Sequence, residues 1–343
     1  KMLLSLLKKL TKKKRDFLYA SHRDAYIFSW YAFILNHAYK NIIKKIGIDS
    51  NTIAYRSIDG KDNIDFAVEV FNHIKTLDSC VVLCFDISGF FNNLDHKLIK
   101  KFWHKLLLEE KITKEKDLPK DHFAIYKKLT KYDYIILKDL LNYLTIDEKE
   151  IGHLTKLCSH SDFINKIRKT NLIKKHKDNT GIPQGNAVSV VLANAYMLDF
   201  DTCIANKINK YGGMYRRYSD DIIIVCPLEY MYSINEEIKS EINKLKLEIK
   251  EEKTEICFFT RNSKNILECT DKNGKKNILQ YLGCVTDGTK DNIREKTKSK
   301  FYRKMTKIVK KELHFSKKIH LNQVRVGKLK RKIIHDKNKS FLS

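Results

Sequence analysis

The chain alternates between short β-forming apolar runs and longer stretches in which apolar residues recur at helical spacing. Residues 80–85 (Cys-Val-Val-Leu-Cys-Phe) form a continuous apolar run, too short for an isolated helix, and predict a buried strand ending on Asp86. Residues 214–218 and 222–226 are two further β-forming runs separated only by Ser219, Asp220 and Asp221. That run–polar–run order predicts a β-hairpin with its acids at the tip. Helical periodicity predicts helices around residues 19–46 and 64–77, joined through a loop at 51–62. Another helix is expected from His96 to Leu108 with Asp95 as its cap, and a long one over residues 187–208. Residues 97–180 read as mostly helical. In the C-terminal stretch, Phe301, Met305, Ile308, Val309 and Leu313 interleave with cations and predict amphipathic helix. With only 3 prolines and 12 glycines, the chain is expected to be compact and without long flexible linkers.

The acids change the picture. Adjacent Asp220 and Asp221 repel each other, so the pair is either a solvated turn or a site neutralised by a hard divalent cation. Asp86 leaves a buried strand, and Asp95 is better placed to cap the next helix, so helix chemistry does not account for Asp86. Two strands delivering acids to one end of a sheet would make a two-metal site for in-line phosphoryl transfer. Between them lies Gly181-Ile182-Pro183-Gln184-Gly185-Asn186. Two glycines and a proline specify a rigid loop in which backbone can approach a ligand.

In this order the motifs resemble those of the reverse transcriptase family. Phe85-Asp86-Ile87-Ser88-Gly89-Phe90-Phe91 resembles the first catalytic motif, and Tyr218-Ser219-Asp220-Asp221 matches the Tyr-x-Asp-Asp box, with serine where many bacterial members have alanine. Residues 181–186 resemble the loop that contacts template and nucleotide. Residues 247–254 resemble the motif that places a lysine near the incoming nucleotide, and residues 279–284 the primer-grip hairpin. The resemblance implies an α+β, right-hand polymerase fold with helical fingers, a ferredoxin-like antiparallel palm sheet and a basic helical thumb. The expected division is fingers 1–79, first palm strand 80–96, helical fingers–palm connection 97–180, palm with catalytic hairpin and primer grip 181–288, and thumb 289–343. An alternative for 97–180, with its basic segment 166–177, is a surface for a dedicated RNA or partner protein.

The same resemblance implies two Mg²⁺ ions (or Mn²⁺) held by Asp86, Ile87, Asp220 and Asp221, with the three aspartates catalytic. Phe91 is expected to exclude a 2′-hydroxyl, or else to be ordinary core. Gln184 and Gly185 would contact nucleotide or templating base. Lys253 would assist the leaving pyrophosphate, or be a solvated charge. Arg56 and Lys61 would grip the triphosphate, or be plain surface charge. Tyr281, Leu282 and Gly283 would hold the primer. Expected partners are dNTPs, a DNA product and an RNA, of the dedicated non-coding kind, with an accessory protein or a homo-oligomer left open. Residues 85–98 look most like defence-associated bacterial reverse transcriptases, implying a cytoplasmic antiphage enzyme. An untemplated or protein-templated DNA polymerase of the same family is the main alternative, and a non-catalytic maturase-like RNA-binding protein a weaker one. Phe91 disfavours an RNA-making enzyme.

Composition agrees with a polyanion partner. Over 343 residues, 67 Lys+Arg against 41 Asp+Glu leave +26. Residues 289–343 alone hold 19 Lys/Arg against Asp291, Glu295, Glu312 and Asp336. The 8 cysteines are scattered without a CxxC pair, as expected for reduced thiols in a cytosolic protein rather than a zinc or disulfide framework. No Walker loop occurs, and no apolar run approaches the roughly 18 residues that a membrane span needs. The basic-apolar start, residues 1–10, is too short for a signal peptide and is expected to be an amphipathic helix. The chain opens on Lys1 rather than methionine, as one preceded by a further segment would.

Overall fold

The computed structural model describes residues 5–10 and 16–318. In chain order the first elements are β1 (Ser5–Leu10), β2 (Asp16–Tyr19), α1 (His22–Lys45), α2 (Asn63–Lys75) and β3 (Ser79–Asp86). Then come α3 (Phe90–Asn93), α4 (His96–Glu109), α5 (Lys120–Thr130), β4 (Asp133–Ile136), α6 (Leu137–Leu144), α7 (His160–Asn165) and β5 (Ile173–Lys175). The middle holds α8 (Ala187–Tyr196), α9 (Leu198–Lys210), β6 (Met214–Tyr218), β7 (Asp221–Cys226), α10 (Met231–Lys244), β8 (Glu255–Arg261) and β9 (Leu267–Thr270). Last are β10 (Leu279–Tyr281), β11 (Cys284–Thr286), β12 (Asp291–Ile293) and α11 (Glu295–Lys318).

The central sheet has the order β6-β7-β3-β8-β9, with every neighbouring pair antiparallel. Its succession β3–helices–β6–β7–α10–β8 is the split βαβ arrangement of ferredoxin-like sheets. Side-chain alternation sorts the two faces. Val81, Leu83, Phe85, Ile222 and Ile224 enter a large core shared with α1, α4, α8, α9 and α10. Val82, Ile223, Val225, Cys257 and Phe259 enter a second core, closed by α2 and by the β10–β11 hairpin. Helix α8 is apolar nearly all round and buried, the signature of a central helix. The predicted long helix over 187–208 is therefore two, bent by 47° at Met197.

One expectation is corrected. The start is not helical: Ser5–Leu10 is a strand, pairing antiparallel with β2 and parallel with β4. Segment 97–180 is mostly helical, and its short β4 and β5 complete a second sheet of order β2-β1-β4-β5. Strand β1 is short and takes one partner from distant sequence, so tertiary pairing overrides local periodicity. The predicted amphipathic helix at the C-terminal side is present as α11, with Phe301, Met305 and Ile308 half-buried and Arg303, Lys307 and Lys310 exposed. The rest of the stretch expected as thumb, residues 319–343, lies outside the described residues. Among the described residues, no single helix is long and apolar enough to cross a membrane.

A buried ion pair underlies the catalytic-motif hairpin. Arg217 on β6 and Asp201 on α9 are both fully buried. Arg217 donates from Nε to Asp201 Oδ1 at 2.7 Å and from Nη2 to Oδ2 at 2.6 Å, while Nη1 reaches the Ser219 carbonyl at 3.0 Å. Burial alone would lower the Arg217 pKa, but the Asp201 carboxylate outweighs it and the guanidinium stays charged. Removing one partner leaves a buried uncompensated charge. Arg217→Met is expected to destabilise the fold by about 3–5 kcal/mol in urea unfolding, whereas a loss below about 1 kcal/mol would show the pair to be energetically idle.

Candidate active site

Sheet register sets the acids opposite one another. Asp86, last residue of β3, pairs with Asp221, first residue of β7. Tyr218 pairs with Asp221 across a turn made only of Ser219 and Asp220. Ser219 adopts a left-handed φ of 60°, as a tight hairpin turn requires. The Ile87 N–H donates to the Asp220 carbonyl at 3.1 Å, tying the end of β3 to the hairpin tip. On the other side Lys250 N donates to the Asp86 carbonyl at 2.9 Å and Ser88 N to the Glu248 carbonyl at 2.7 Å. The Ile87 side chain is buried, so only its backbone faces this junction.

Asp86 and Asp221 line a cavity of about 380 Å³ together with Lys253, Tyr281, Leu282 and Gly283. Sequence reasoning placed all six in one site, and the fold brings them together. The hairpin turn at Leu282 and Gly283 has positive φ at both residues, 44° and 85°, which folds β10 tightly back on β11 beside the acids. Tyr281 is buried, and burial pushes its phenol well above the ordinary range.

The electrostatics of Asp86 were only half legible. Lys253 Nζ lies 2.9 Å from Oδ2, as an expected neighbour of this site, but Lys250 Nζ lies 2.7 Å from Oδ1 and was not anticipated. Residues 251–253 form one turn of 3-10 helix, in which residues three apart eclipse, so both ammonium groups reach the same carboxylate. Burial alone would raise the Asp86 pKa, but the Lys250 and Lys253 hydrogen bonds outweigh it and hold the carboxyl below its usual range. The hydrogen bond to Asp86 in turn raises the Lys253 pKa. The three-residue spacing of the two lysines was the available signal. Arg294 and Glu255 also line the cavity and were missed, because nothing in their local sequence marks them.

The remaining candidates divide. Phe90 is core, whereas Phe91 is half-buried and packs at the edge of the same core, its ring edge-on to Phe90 at 5.6 Å. The 181–186 loop is bonded to this segment, with Ile182 N donating to the Phe91 carbonyl at 3.0 Å and Gly181 N to that of Leu94 at 2.8 Å. Gln184 is half-buried and lines a separate cavity of about 290 Å³, and Gly185 is exposed with φ 99°. Arg56 is no surface charge. Its side chain is buried, paired with Asp49 and donating to the Thr52 carbonyl at 2.6 Å, so the guanidinium is committed to its own loop. Lys61 is held 2.6 Å from Glu69 of α2, and neither it nor Arg56 lines the acid cavity. All eight cysteines are free thiols.

Asp86 and Asp221, paired across the strands at the cavity, offer carboxylate oxygen, the preference of hard divalent ions. Asp220, in the turn, does not line that cavity, and among the described residues the three aspartates do not converge as one metal-binding group. The family model of reverse transcriptase (RNA-dependent DNA polymerase) matches residues 12–286. The chain belongs to that family, whose catalytic domains use divalent metal ions.

Among solved structures, the fold is similar to telomerase from Candida tropicalis truncated from its C-terminal domain, with TM-score 0.52 and 12% identity over 85% of this chain and 55% of that one. It is also similar to Candida tropicalis telomerase in complex with the TWJ fragment of telomeric RNA (TM-score 0.54, 12% identity, 85% of this chain and 45% of that one). The corresponding Candida albicans complex gives TM-score 0.52 at 12% identity, covering 86% of this chain and 46% of that one. The chain thus spans about half the length of these structures, and the likeness is one of fold: a mixed helix and antiparallel-sheet polymerase architecture. No curated protein matches the chain in sequence.

Gly181 tests the loop geometry. A Cβ there would meet the Asn92 carbonyl oxygen at 2.8 Å, on a residue with φ 87°. Gly181→Ala is expected to cost at least about 1 kcal/mol of stability, and a melting temperature equal to that of the unchanged protein would show that the loop is not held against Asn92.

Proposed function

We propose that the protein is a Mg²⁺-dependent polymerase that adds dNTPs to a 3′-hydroxyl on an RNA template. The observation that carries this reading is the pairing of Asp86 with Asp221 at one end of the sheet, in a cavity that the 279–283 hairpin shares. Asp86, Asp220 and Asp221 would hold two divalent ions, with Ile87 contributing its carbonyl. When bound, such ions supply the positive charge that activates a 3′-hydroxyl and offsets the departing pyrophosphate.

The chain's own side chains do the rest. Lys253, its ammonium already at the acids, is the group to donate charge or a proton to pyrophosphate. Phe91 offers a half-exposed ring beside the nucleotide-facing loop and would exclude a 2′-hydroxyl. Gln184 and Gly185 would position nucleotide or template, with Gly185 allowing backbone to approach. Residues 281–283 would orient the primer end. Strands β3 and β6–β11 with their helices would be the palm, residues 1–79 and part of 97–180 the fingers, and α11 the start of a thumb. The exposed cations of α11 would grip phosphates without reading sequence. Arg56 and Lys61 are assigned to structural ion pairs instead.

The place of action is a bacterial cytoplasm, in defence against phage, with a dedicated non-coding RNA as template. Support for that role is the likeness of residues 85–98 to defence-associated reverse transcriptases.

Purified protein incubated with Mg²⁺, dNTPs and its co-purified RNA should make DNA complementary to that RNA, and RNase pretreatment should abolish it. Homopolymer surviving RNase would replace the templated reading with an untemplated one. Asp220→Asn should abolish incorporation while RNA affinity, read by filter binding, stays within about twofold; residual synthesis above background would refute its role. Phe91→Ala should raise ribonucleotide incorporation relative to deoxyribonucleotide, and an unchanged ratio would return Phe91 to the core.

A further inference from the structure

Helix α1 carries two stripes on opposite sides. Phe28, Ala32, Leu35, Tyr39 and Ile42 recur at alternating spacings of four and three and are buried in the main core shared with α4 and α8. Tyr26, Trp30, Phe33, His37, Lys40 and Lys44 recur in the same rhythm about half a turn away. Packing accounts for the first stripe and leaves the second to solvent: Tyr26 is 80% exposed, Trp30 61% and Phe33 66%. The Trp30 and Phe33 rings lie 6.0 Å apart and 22° from parallel.

The charge along this face has one sign. Asp24, the single acid of α1, is buried and accepts a hydrogen bond from Ser21 Oγ at 2.9 Å. The carboxylates that reach the helix from its neighbours, Asp121 and Glu110, are occupied on its flanks by Tyr31 and Asn41, at 3.0 and 2.7 Å. Arg23 stands at one end of the aromatic stripe and Lys40, Lys44 and Lys45 at the other. None of these residues lines the Asp86 cavity.

We propose that this face of α1 is a docking surface for single-stranded RNA, separate from the acid cavity. Its bases would stack on Tyr26, Trp30 and Phe33, and its phosphates would run toward Lys40 and Lys44. The stripe is made of rings, with no leucine or isoleucine. Rings suit any nucleobase because every base has a π-face, and flanking cations hold the backbone. A second copy of the chain is a poor occupant, since a formal charge of +26 sets like charges against each other across such a face. The choice of RNA as partner rests on the RNA-directed reading above.

The test is binding of full-length protein to a fluorescein-labelled, mixed-sequence single-stranded oligoribonucleotide, without dNTPs, followed by fluorescence anisotropy. Trp30→Ala/Phe33→Ala should weaken binding roughly tenfold or more, and Trp30→Phe should retain it. The melting temperature should not move, because both rings are exposed. Incorporation on a primed template with a short overhang should also be unchanged. Unaltered RNA affinity in the double variant would overturn the proposal. So would loss of binding to phosphatidylserine vesicles, or loss of self-association in sedimentation equilibrium, in place of the RNA effect. Failure of Asp220→Asn to abolish synthesis would sink the polymerase reading alone, because the α1 measurement involves no nucleotide addition.

Discussion

The buried pair of Arg217 and Asp201 is the constraint on which the hairpin carrying the acids depends. A guanidinium is a costly thing to bury, and here each of its edges has a use. Two nitrogens grip Asp201 on α9, and a third holds the Ser219 carbonyl in the turn itself. Asp201 also accepts from the Tyr215 hydroxyl at 2.5 Å, which fixes β6 a second time. Backbone bonds bring in the 51–53 segment: Arg217 N donates to the Asn51 carbonyl at 2.8 Å and Ile53 N to the Arg217 carbonyl at 3.0 Å. Helix, strand, turn and N-terminal loop thus meet on one residue, the loop through its backbone and the rest through its side chain. A network of this kind specifies one arrangement, because any slip leaves a charge unpaired in low dielectric.

Strand parity then decides what faces what. Asp86 lies on the same sheet face as Cys84 and Val82, and Asp221 on the face of Ile223 and Val225. That face is covered along its length by α2 and the 279–286 hairpin, but the cover stops at the end of β3. The acids therefore emerge where the apolar layer gives out, next to a wall built from Tyr281 to Gly283. Carboxylates in such a position would repel each other. Lys250 and Lys253 answer that repulsion at Asp86, one on each oxygen, with Lys253 the more exposed of the two at 52% against 27%. Both lysines are anchored through their backbone N–H groups, Lys250 to the Asp86 carbonyl at 2.9 Å and Lys253 to the Lys250 carbonyl at 3.0 Å.

How much of this was readable from sequence depends on whether the information was local. The strand at 80–85, the hairpin at 214–226, the Asp95 cap and the 279–284 hairpin announce themselves through short patterns, and all are present. Four of the five motifs bring six residues around one cavity, while the 181–186 loop lines another. The small sheet was not readable, because β1 finds its parallel partner more than a hundred positions away. Arg56 was misjudged for a similar reason: a cation in a polar loop looks like surface until Asp49 and Thr52 are seen folded around it. Arg217 was passed over as one of two arginines in a strand, although its alternation with Arg216 marked it as the inward one. Lys250 is one of many lysines, and its three-residue spacing from Lys253 gains meaning only through the 3-10 turn that brings both to Asp86.

The turn itself shows why a strained residue is tolerated at this point. Ser219 sits in left-handed backbone, where glycine would be cheaper by roughly 1 kcal/mol. It is nevertheless 98% buried, with its carbonyl taken by Arg217 and its Oγ receiving the Tyr55 hydroxyl at 3.2 Å. Glycine would relieve the backbone but remove the hydroxyl and restore freedom to the residue immediately before Asp220. The hydroxyl and carbonyl of Ser219 thus fix the turn at a cost in backbone strain. The same logic joins the two unusual features beneath the site. The buried charge and the strained turn each cost stability when considered alone, and together they remove the rotational freedom that would let the acids drift apart.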